Sequence, residues 1–331
     1  MEKVECYSPL RVSFSGGGTD ISPFLETYGS KVINTTIDRG VRVQYSMDGY
    51  PLEISSRDFL NTTILGESHG MNFQDRMLKL FQKYGISKGR IYISGEVPPG
   101  SGLGSSSAII TALMKLIFEL RGEEKDAGEL ARIAYIEERE FFDILLGVQD
   151  PFAISLGGFK YMEFQGENYT LNRLDEGKFL DQMNTGMIIC YTGSTRESSD
   201  VLKAQVSASS SPKSQTTNRL KELMNITEEA WKFAIDNDYN SFCSNVNRGW
   251  AIKRTLSPNV SSPKVENIIS SALQYGAKAA RLLGGGRDGF VLILGESGNL
   301  WEIQKKLMTL STFVVRVSPT LGGTRIISHT Y

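Results

Sequence analysis

Residues 98–107 read Pro98-Pro99-Gly100-Ser101-Gly102-Leu103-Gly104-Ser105-Ser106-Ser107, between two segments of opposite character. Before them, Arg90-Ile91-Tyr92-Ile93-Ser94 alternates with the period of a half-buried strand. After them, residues 108–120 are rich in Ala, Leu and Ile, too long for most strands and apolar over most of their surface, which predicts a buried helix. Alternating glycines let backbone N–H groups approach an anion with no Cβ in the way. The helix that follows aims its positive dipole end and unpaired N–H groups at the same point. Serine hydroxyls at a helix start cap free N–H groups, add donors for phosphate oxygens, and offer a ligand to Mg²⁺. Strand, glycine loop and buried helix together make a triphosphate cradle. It is not a Walker A loop, because no Gly-Lys-Ser/Thr is present, and its G-x-G-x-G spacing is not the Rossmann fingerprint. A flexible glycine-serine linker would not run directly into a largely apolar helix.

The rest of the chain supplies strands and helices in mixed order. Leu10-Arg11-Val12-Ser13-Phe14 alternates like a half-buried strand and runs into Gly16-Gly17-Gly18 and Thr19-Asp20. Val32-Ile33-Asn34-Thr35-Thr36-Ile37 and Val41-Arg42-Val43-Gln44-Tyr45 predict two strands joined by a turn at Asp38-Arg39-Gly40. Further helices are predicted over 127–142, 220–235 and 264–275, and strands over 160–164, 186–191 and 290–294. Residues 207–218, with five serines and no large apolar side chain, predict a loop and a candidate lid.

A length of 331 residues predicts two domains, with the boundary near 180: residues 1–180 and 181–331. The 36 basic and 37 acidic residues nearly cancel, which disfavours a nucleic acid partner. No apolar run approaches the ~18 residues needed to cross a bilayer. The first residues show no signal-peptide pattern, so no membrane partner and a cytoplasmic location are expected. Three widely spaced cysteines predict reduced thiols rather than a metal or disulfide framework. With two histidines in the chain, acid–base chemistry falls to carboxylates, lysines and arginines.

At this point the chain becomes recognisable. Residues 98–108 resemble the ATP-binding motif of the GHMP kinases, the superfamily of galactokinase, homoserine kinase and mevalonate kinase. Pro9-Leu10-Arg11-Val12-Ser13-Phe14-Ser15-Gly16-Gly17-Gly18-Thr19-Asp20 resembles its first motif, in the form used by sugar kinases. Gly276-Ala277-Lys278-Ala279-Ala280-Arg281-Leu282-Leu283-Gly284-Gly285-Gly286 resembles its third. The triple glycine before Thr19-Asp20, Gly147-Val148-Gln149-Asp150, Tyr191-Thr192-Gly193-Ser194-Thr195-Arg196 and Trp250-Ala251-Ile252-Lys253 are most similar to the D-glycero-D-manno-heptose 7-phosphate kinase branch.

The resemblance implies an α+β, two-domain GHMP kinase architecture: a ribosomal protein S5 domain 2-like N-terminal domain and a ferredoxin-like C-terminal domain. It implies MgATP as phosphoryl donor and a small-molecule sugar or sugar phosphate as acceptor, with the anomeric hydroxyl of heptose 7-phosphate foremost. Fucose- or galactose-type kinases, and a silent ATP- and sugar-binding sensor, stand as alternatives. Oligomeric state is left open. By the same resemblance Asp150 is the base, and Arg11 holds it ionised and stabilises the transferring phosphoryl group. Pro99 to Ser107 cradle the nucleotide, while Gly17, Gly18, Thr19 and Asp20 contact the sugar. Ser106 and Glu138 hold Mg²⁺, with Glu137 and Glu140 as neighbouring alternatives. Two departures bear on the acceptor. Pro151-Phe152 stands where the branch usually has Gln-Tyr, and Arg287-Asp288 interrupts the third glycine run. Arg287 either pairs with Asp288 or reaches a substrate phosphate.

Overall fold

The computed structural model describes residues 2–57, 61–66, 72–98, 100, 102–166, 168–193, 199–209, 211, 214–257 and 260–331. In chain order the elements are β1 (Lys3–Ser15), α1 (Phe24–Tyr28), β2 (Ser30–Pro51), β3 (Glu53–Ser56), β4 (Asn61–Ile64), α2 (Phe73–Lys83), β5 (Lys88–Gly95), α3 (Ser105–Leu120) and α4 (Ala127–Ile136). A π-helical turn (Glu137–Phe141) follows, then α5 (Gln149–Leu156), β6 (Phe159–Gln165), β7 (Asn168–Leu174), α6 (Lys178–Gly186), β8 (Met187–Tyr191), α7 (Ser199–Ser209), α8 (Gln215–Ile235) and α9 (Tyr239–Lys253). The chain ends with α10 (Pro263–Gln274), β9 (Ala279–Leu282), β10 (Phe290–Leu294), α11 (Leu300–Leu307), β11 (Val314–Val317), β12 (Pro319–Thr320) and β13 (Arg325–Thr330).

The first sheet is ordered β13-β1-β2-β5-β3-β4, with β12 and the β6–β7 pair added along β2. The structure corrects the predicted turn at Asp38-Arg39-Gly40, because β2 runs unbroken through it. The reason is tertiary. The register with β1 passes from Pro9–Gly40 to Arg11–Thr36, so the extra residues of β2 form a bulge. Asp38 N donates to Ser318 O at 3.0 Å, and Ser318 N donates to Asp38 Oδ1 at 3.0 Å. Groups that a turn would bond locally are taken by a segment 280 residues away.

α3 is buried on nearly every side, as its composition predicts: Ile110, Leu113, Met114, Leu116 and Ile117 are fully buried, and the helix lies against β1 and β2. Capping by the serines is corrected. The helix starts at Ser105 behind a left-handed Gly104 (φ 74°) that makes no side-chain cap, so Ser105, Ser106 and Ser107 form the first turn itself. The predicted loop over 207–218 is also corrected: residues 207–209 end α7 and residues 215–218 begin α8.

The second sheet is antiparallel, ordered β11-β8-β10-β9. Its chain order, β8, helices, β9, β10, α11, β11, is the β-α-β-β-α-β pattern of ferredoxin-like folds. The two sheets share one apolar core. Phe14, Phe159, Phe179 and Phe242 interlock with ring centroids 4.9 to 5.6 Å apart. After β11 the chain returns to the first sheet, where β12 pairs with β2 and β13 with β1. Cys6, Cys190 and Cys243 are buried free thiols. Among the described residues no helix is long and apolar enough to cross a membrane.

Candidate active site

Segments distant in sequence meet around one cleft. Its walls are β1 with the Gly17-Gly18 turn, the glycine loop with the start of α3, residues 144–147 with the start of α5, α7, the end of α9, and Gly284-Gly285.

Arg11 ties three of these together. It is 4% exposed, and its guanidinium grips Asp150 with both arms, Nε to Oδ1 at 2.9 Å and Nη2 to Oδ2 at 2.6 Å. Its remaining Nη1 donates to Gly102 O at 2.6 Å, and its backbone N–H donates to Leu103 O at 3.0 Å. The planar fork suits this bidentate grip, and it fixes the plane of the carboxylate. The 102–104 loop needs its glycines. Gly102 has φ 77°, and a Cβ there would come 2.7 Å from Leu283 O. A Cβ on Gly284 would come 2.6 Å from Gly102 Cα, so the two glycine loops pack backbone to backbone. Leu103 is fully buried, whereas Gly100, Gly102, Gly104 and the serines 105–107 face the cleft. Pro99 and Ser101 lie outside the described residues, as do Ser194, Thr195 and Arg196.

Glu138 sits on the π-turn at 1% exposure, and its Oε1 accepts from Ser106 Oγ at 2.7 Å. Its Oε2 is buried with no hydrogen-bond partner among the described residues. Burial pushes its carboxyl up to about 7, against hydrogen bonds from Ser107 and Ser106 and with the Asp150 charge adding to the rise. Its neighbours are placed elsewhere: Glu137 accepts from Lys83 and Tyr84, and Glu140 is exposed.

Asp20 is 4% exposed, with Oδ1 accepting from Gly18 N at 2.8 Å and Oδ2 from Gln149 N at 3.3 Å. Burial raises its pKa, and the Asp150 charge adds to the rise. Gly147 makes room for it, since a Cβ there would fall 1.8 Å from Asp20 Oδ2. Thr19 does not face the cleft. It is fully buried, donates to Gly16 O at 2.8 Å and meets Ser30 Oγ at 2.7 Å, holding the turn from behind.

Arg287 is not one of the cleft walls. It takes a left-handed φ of 75° and donates its backbone N–H to Val260 O at 2.7 Å. The expected pairing with Asp288 is absent among the described residues, and Asp288 Oδ1 accepts from Ser262 Oγ at 3.0 Å. Pro151 and Phe152 also stand outside the walls. Phe152 is 1% exposed and packs edge-on against Phe164 and Tyr169, so that departure alters the core beneath the cleft.

Sequence reasoning assigned no role to two side chains from distant helices. Gln205 of α7 donates Nε2 to Gly18 O at 2.9 Å and closes over the first glycine turn. Lys253, the last residue of α9, is 8% exposed and donates to Gly284 O at 2.9 Å. Burial pushes its pKa down to about 7, and the Arg281 charge acts in the same direction. The Trp250–Lys253 segment was singled out by resemblance without a role for Lys253, and no local pattern points to Gln205; each reaches the cleft through tertiary packing.

Residues 72–158 match the family described as the GHMP kinases N terminal domain. Over 98% of this chain and 99% of its own length, the D-glycero-alpha-D-manno-heptose 7-phosphate kinase of Campylobacter jejuni is 26% identical. The crystal structure of a D-glycero-D-manno-heptose 1-phosphate kinase from Bacteroides thetaiotaomicron superposes with a TM-score of 0.79 at 21% identity, covering 98% of this chain and 99% of that one. Lactococcus lactis galactokinase complexed with galactose superposes with a TM-score of 0.76 at 17% identity, covering 98% and 95%. The structural likenesses show that this chain shares the fold of these sugar kinases, and residues 72–158 match the GHMP kinases N terminal domain.

Proposed function

We propose that the protein is an ATP-dependent sugar kinase that transfers the γ-phosphoryl group of MgATP to a sugar phosphate, at the anomeric hydroxyl of D-glycero-D-manno-heptose 7-phosphate. The observation that carries the reading is the Arg11–Asp150 fork, 2.6 and 2.9 Å long, anchored to the glycine loop through Gly102 O. It sets a carboxylate of fixed orientation beside the loop whose N–H groups suit phosphates. A carboxylate retains lone pairs when Arg takes one on each oxygen, so Asp150 can still accept a hydroxyl proton.

The chemistry is in-line transfer. The acceptor oxygen bonds to the γ-phosphorus, the bond from that phosphorus to the β–γ bridging oxygen breaks, the acceptor proton passes to Asp150, and ADP leaves. Positioning and charge neutralisation supply most of the rate. The carboxylate of Asp20, fixed by Gly18 and Gln149, faces the acceptor side and accepts from sugar hydroxyls.

A divalent cation fits the chain at Ser106 and Glu138, because Glu138 Oε2 is buried and unpartnered while Oε1 faces the Ser106 hydroxyl. Among the described residues no group of three or more His, Cys, Asp or Glu is placed to hold a metal, so the remaining ligands would be phosphate oxygens and water. Bound there, Mg²⁺ would neutralise phosphate charge during transfer.

The Campylobacter relative named for heptose 7-phosphate supports the choice of acceptor. The test is ADP release with MgATP, comparing D-glycero-D-manno-heptose 7-phosphate with fucose, galactose, mannose and mevalonate. Turnover on the heptose phosphate alone is expected. Turnover only on an unphosphorylated sugar would discard the acceptor, and ATP binding with no turnover on any acceptor would discard the kinase.

A further inference from the structure

Gly17 has no side chain, and polar atoms converge on the place where one would stand. A Cβ built there lies 3.4 Å from Lys253 Nζ, 3.5 Å from Ser13 Oγ and 3.9 Å from Gln149 Nε2. Lys253 and Gln149 are 8% and 4% exposed, and both line the cleft.

The orientation of Gln149 is set by its neighbours. Its Oε1 accepts from Ser13 Oγ at 3.0 Å and from Asn34 Nδ2 at 3.3 Å. Its Nε2 therefore turns toward Gly17, and among the described residues it has no acceptor. The ammonium of Lys253 has three donors, of which one is used, on Gly284 O at 2.9 Å. No ion pair holds it among the described residues. A buried ammonium with donors to spare and an amide N–H of a cleft-lining side chain stand side by side, and an anion in the cleft can take both.

The geometry points to an oxyanion subsite: Lys253 Nζ and Gln149 Nε2 together take a phosphate oxygen of one of the two reactants. Arg11 is a weaker candidate for this role, because its charge is matched by the Asp150 carboxylate and three of its five N–H donors are taken by Asp150 and Gly102 O. Arg287, the other cation that the sequence offered for a substrate phosphate, is outside the walls. Lys253 stands where both sources come within reach. Through Gly284 it touches the loop packed on Gly102, and through Gly17 it borders the sugar turn. The phosphate is thus either the ester carried by the acceptor or the group being transferred. This inference rests on the kinase reading above for the identity of the reactants.

The test uses Lys253→Met, which keeps the stem and removes the charge, and Gln149→Glu, which keeps both acceptor bonds and replaces the free N–H with an oxygen. Lys253→Arg serves as the rescue. Steady-state kinetics are run on heptose 7-phosphate and on unphosphorylated heptose. Calorimetric binding of heptose 7-phosphate and of a non-hydrolysable ATP analogue is measured alongside, so the subsite is tested even if neither sugar turns over. The loss of one charged hydrogen bond predicts a change of roughly 10- to 100-fold. A rise of that size in KM and dissociation constant for heptose 7-phosphate, with plain heptose unaffected, assigns the subsite to the acceptor's ester. A fall in kcat on both sugars, or weaker binding of the nucleotide analogue, with acceptor affinity kept and Arg restoring the loss, assigns it to the transferred phosphoryl group. Unchanged kinetics and binding in both variants, or a drop in melting temperature as the only effect, would overturn the subsite.

Discussion

The two walls of the cleft carry their cations in opposite states. On the wall built by the first sheet, Arg11 has its charge saturated by the Asp150 carboxylate and gives a third N–H to Gly102 O. On the wall built by α9, Lys253 holds a single carbonyl and keeps donors to spare. Both are buried, so the contrast is one of partners rather than exposure. A saturated guanidinium orients another group and is preorganised before any ligand arrives. An unsaturated ammonium is costly to bury and recovers that cost when an anion binds. On the proposed kinase reading, the catalytic geometry is therefore built into one wall, whereas the other is completed by its ligand.

The sharpest way to break this contrast is at the saturated wall. Asp150→Asn removes the base and is expected to lower kcat by about 10²–10⁴-fold in the ADP-release assay. Arg11→Lys keeps the charge but not the fork, and should lower kcat by less. An Arg11→Lys enzyme as fast as the parent would show that the bidentate grip is unnecessary.

Next comes the sugar turn. Gly147→Ala forces a methyl into the Asp20 carboxylate and should raise the acceptor KM by roughly tenfold, about one hydrogen bond, with the ATP KM unchanged. Equal losses for both substrates would mean that the cleft had collapsed as a whole.

The pH dependence sharpens the comparison further. Glu138 rises to about 7 and Lys253 falls to about 7. If Glu138 holds the cation and Lys253 the phosphate as proposed, the active form needs Glu138 ionised and Lys253 charged, and kcat/KM should follow a bell near pH 7. Glu138→Gln is expected to flatten the acid limb, and Lys253→Met the alkaline one. The stability signs are opposite. The Glu138 shift favours folding below its ordinary 4.5, a gain lost as pH rises toward 7. The Lys253 shift favours folding above its ordinary 10.5, a gain lost as pH falls toward 7. Near pH 7 both groups cost the ligand-free protein stability, so each of the two variants should melt at a higher temperature there. Lower melting of either, measured by scanning calorimetry without ligand, would contradict the burial argument.

The smallest expected effect is at Arg287. Arg287→Gly relieves a left-handed φ of 75° and should stabilise by about 1 kcal/mol, with turnover unchanged. A clear loss of acceptor affinity would return Arg287 to the substrate.

Much of the saturated wall was legible in the chain. The glycine loop and the buried helix behind it lie in a compact motif where residue type and spacing carry the chemistry, and the family resemblance pointed to Asp150 and Arg11 as partners. Glu138 could be narrowed only to a group of three acids, and burial with Ser106 distinguishes it. The other wall was illegible for a physical reason. α9 is asparagine-rich and contains Gly249, a poor helix by propensity, and it holds because its buried face packs on α8 and β9. No local signal therefore placed Lys253 at a helix end aimed into the cleft.

By itself, the sequence determined what each short segment could do: a strand, a phosphate-compatible loop and a buried helix at residues 90–120, and a glycine turn ahead of Asp20. These follow from local sterics, periodicity and composition. Only the tertiary structure decided which segments face one another. β2 passes through its turn signal because Ser318 completes its hydrogen bonds. Gly102 and Gly284 meet because neither has a Cβ to hold the backbones apart. Lys253 and Gln149 flank Gly17 because two helices about a hundred residues apart, α9 and α5, bring their ends to the same cleft. Such contacts depend on long-range burial and pairing, which no window of sequence contains.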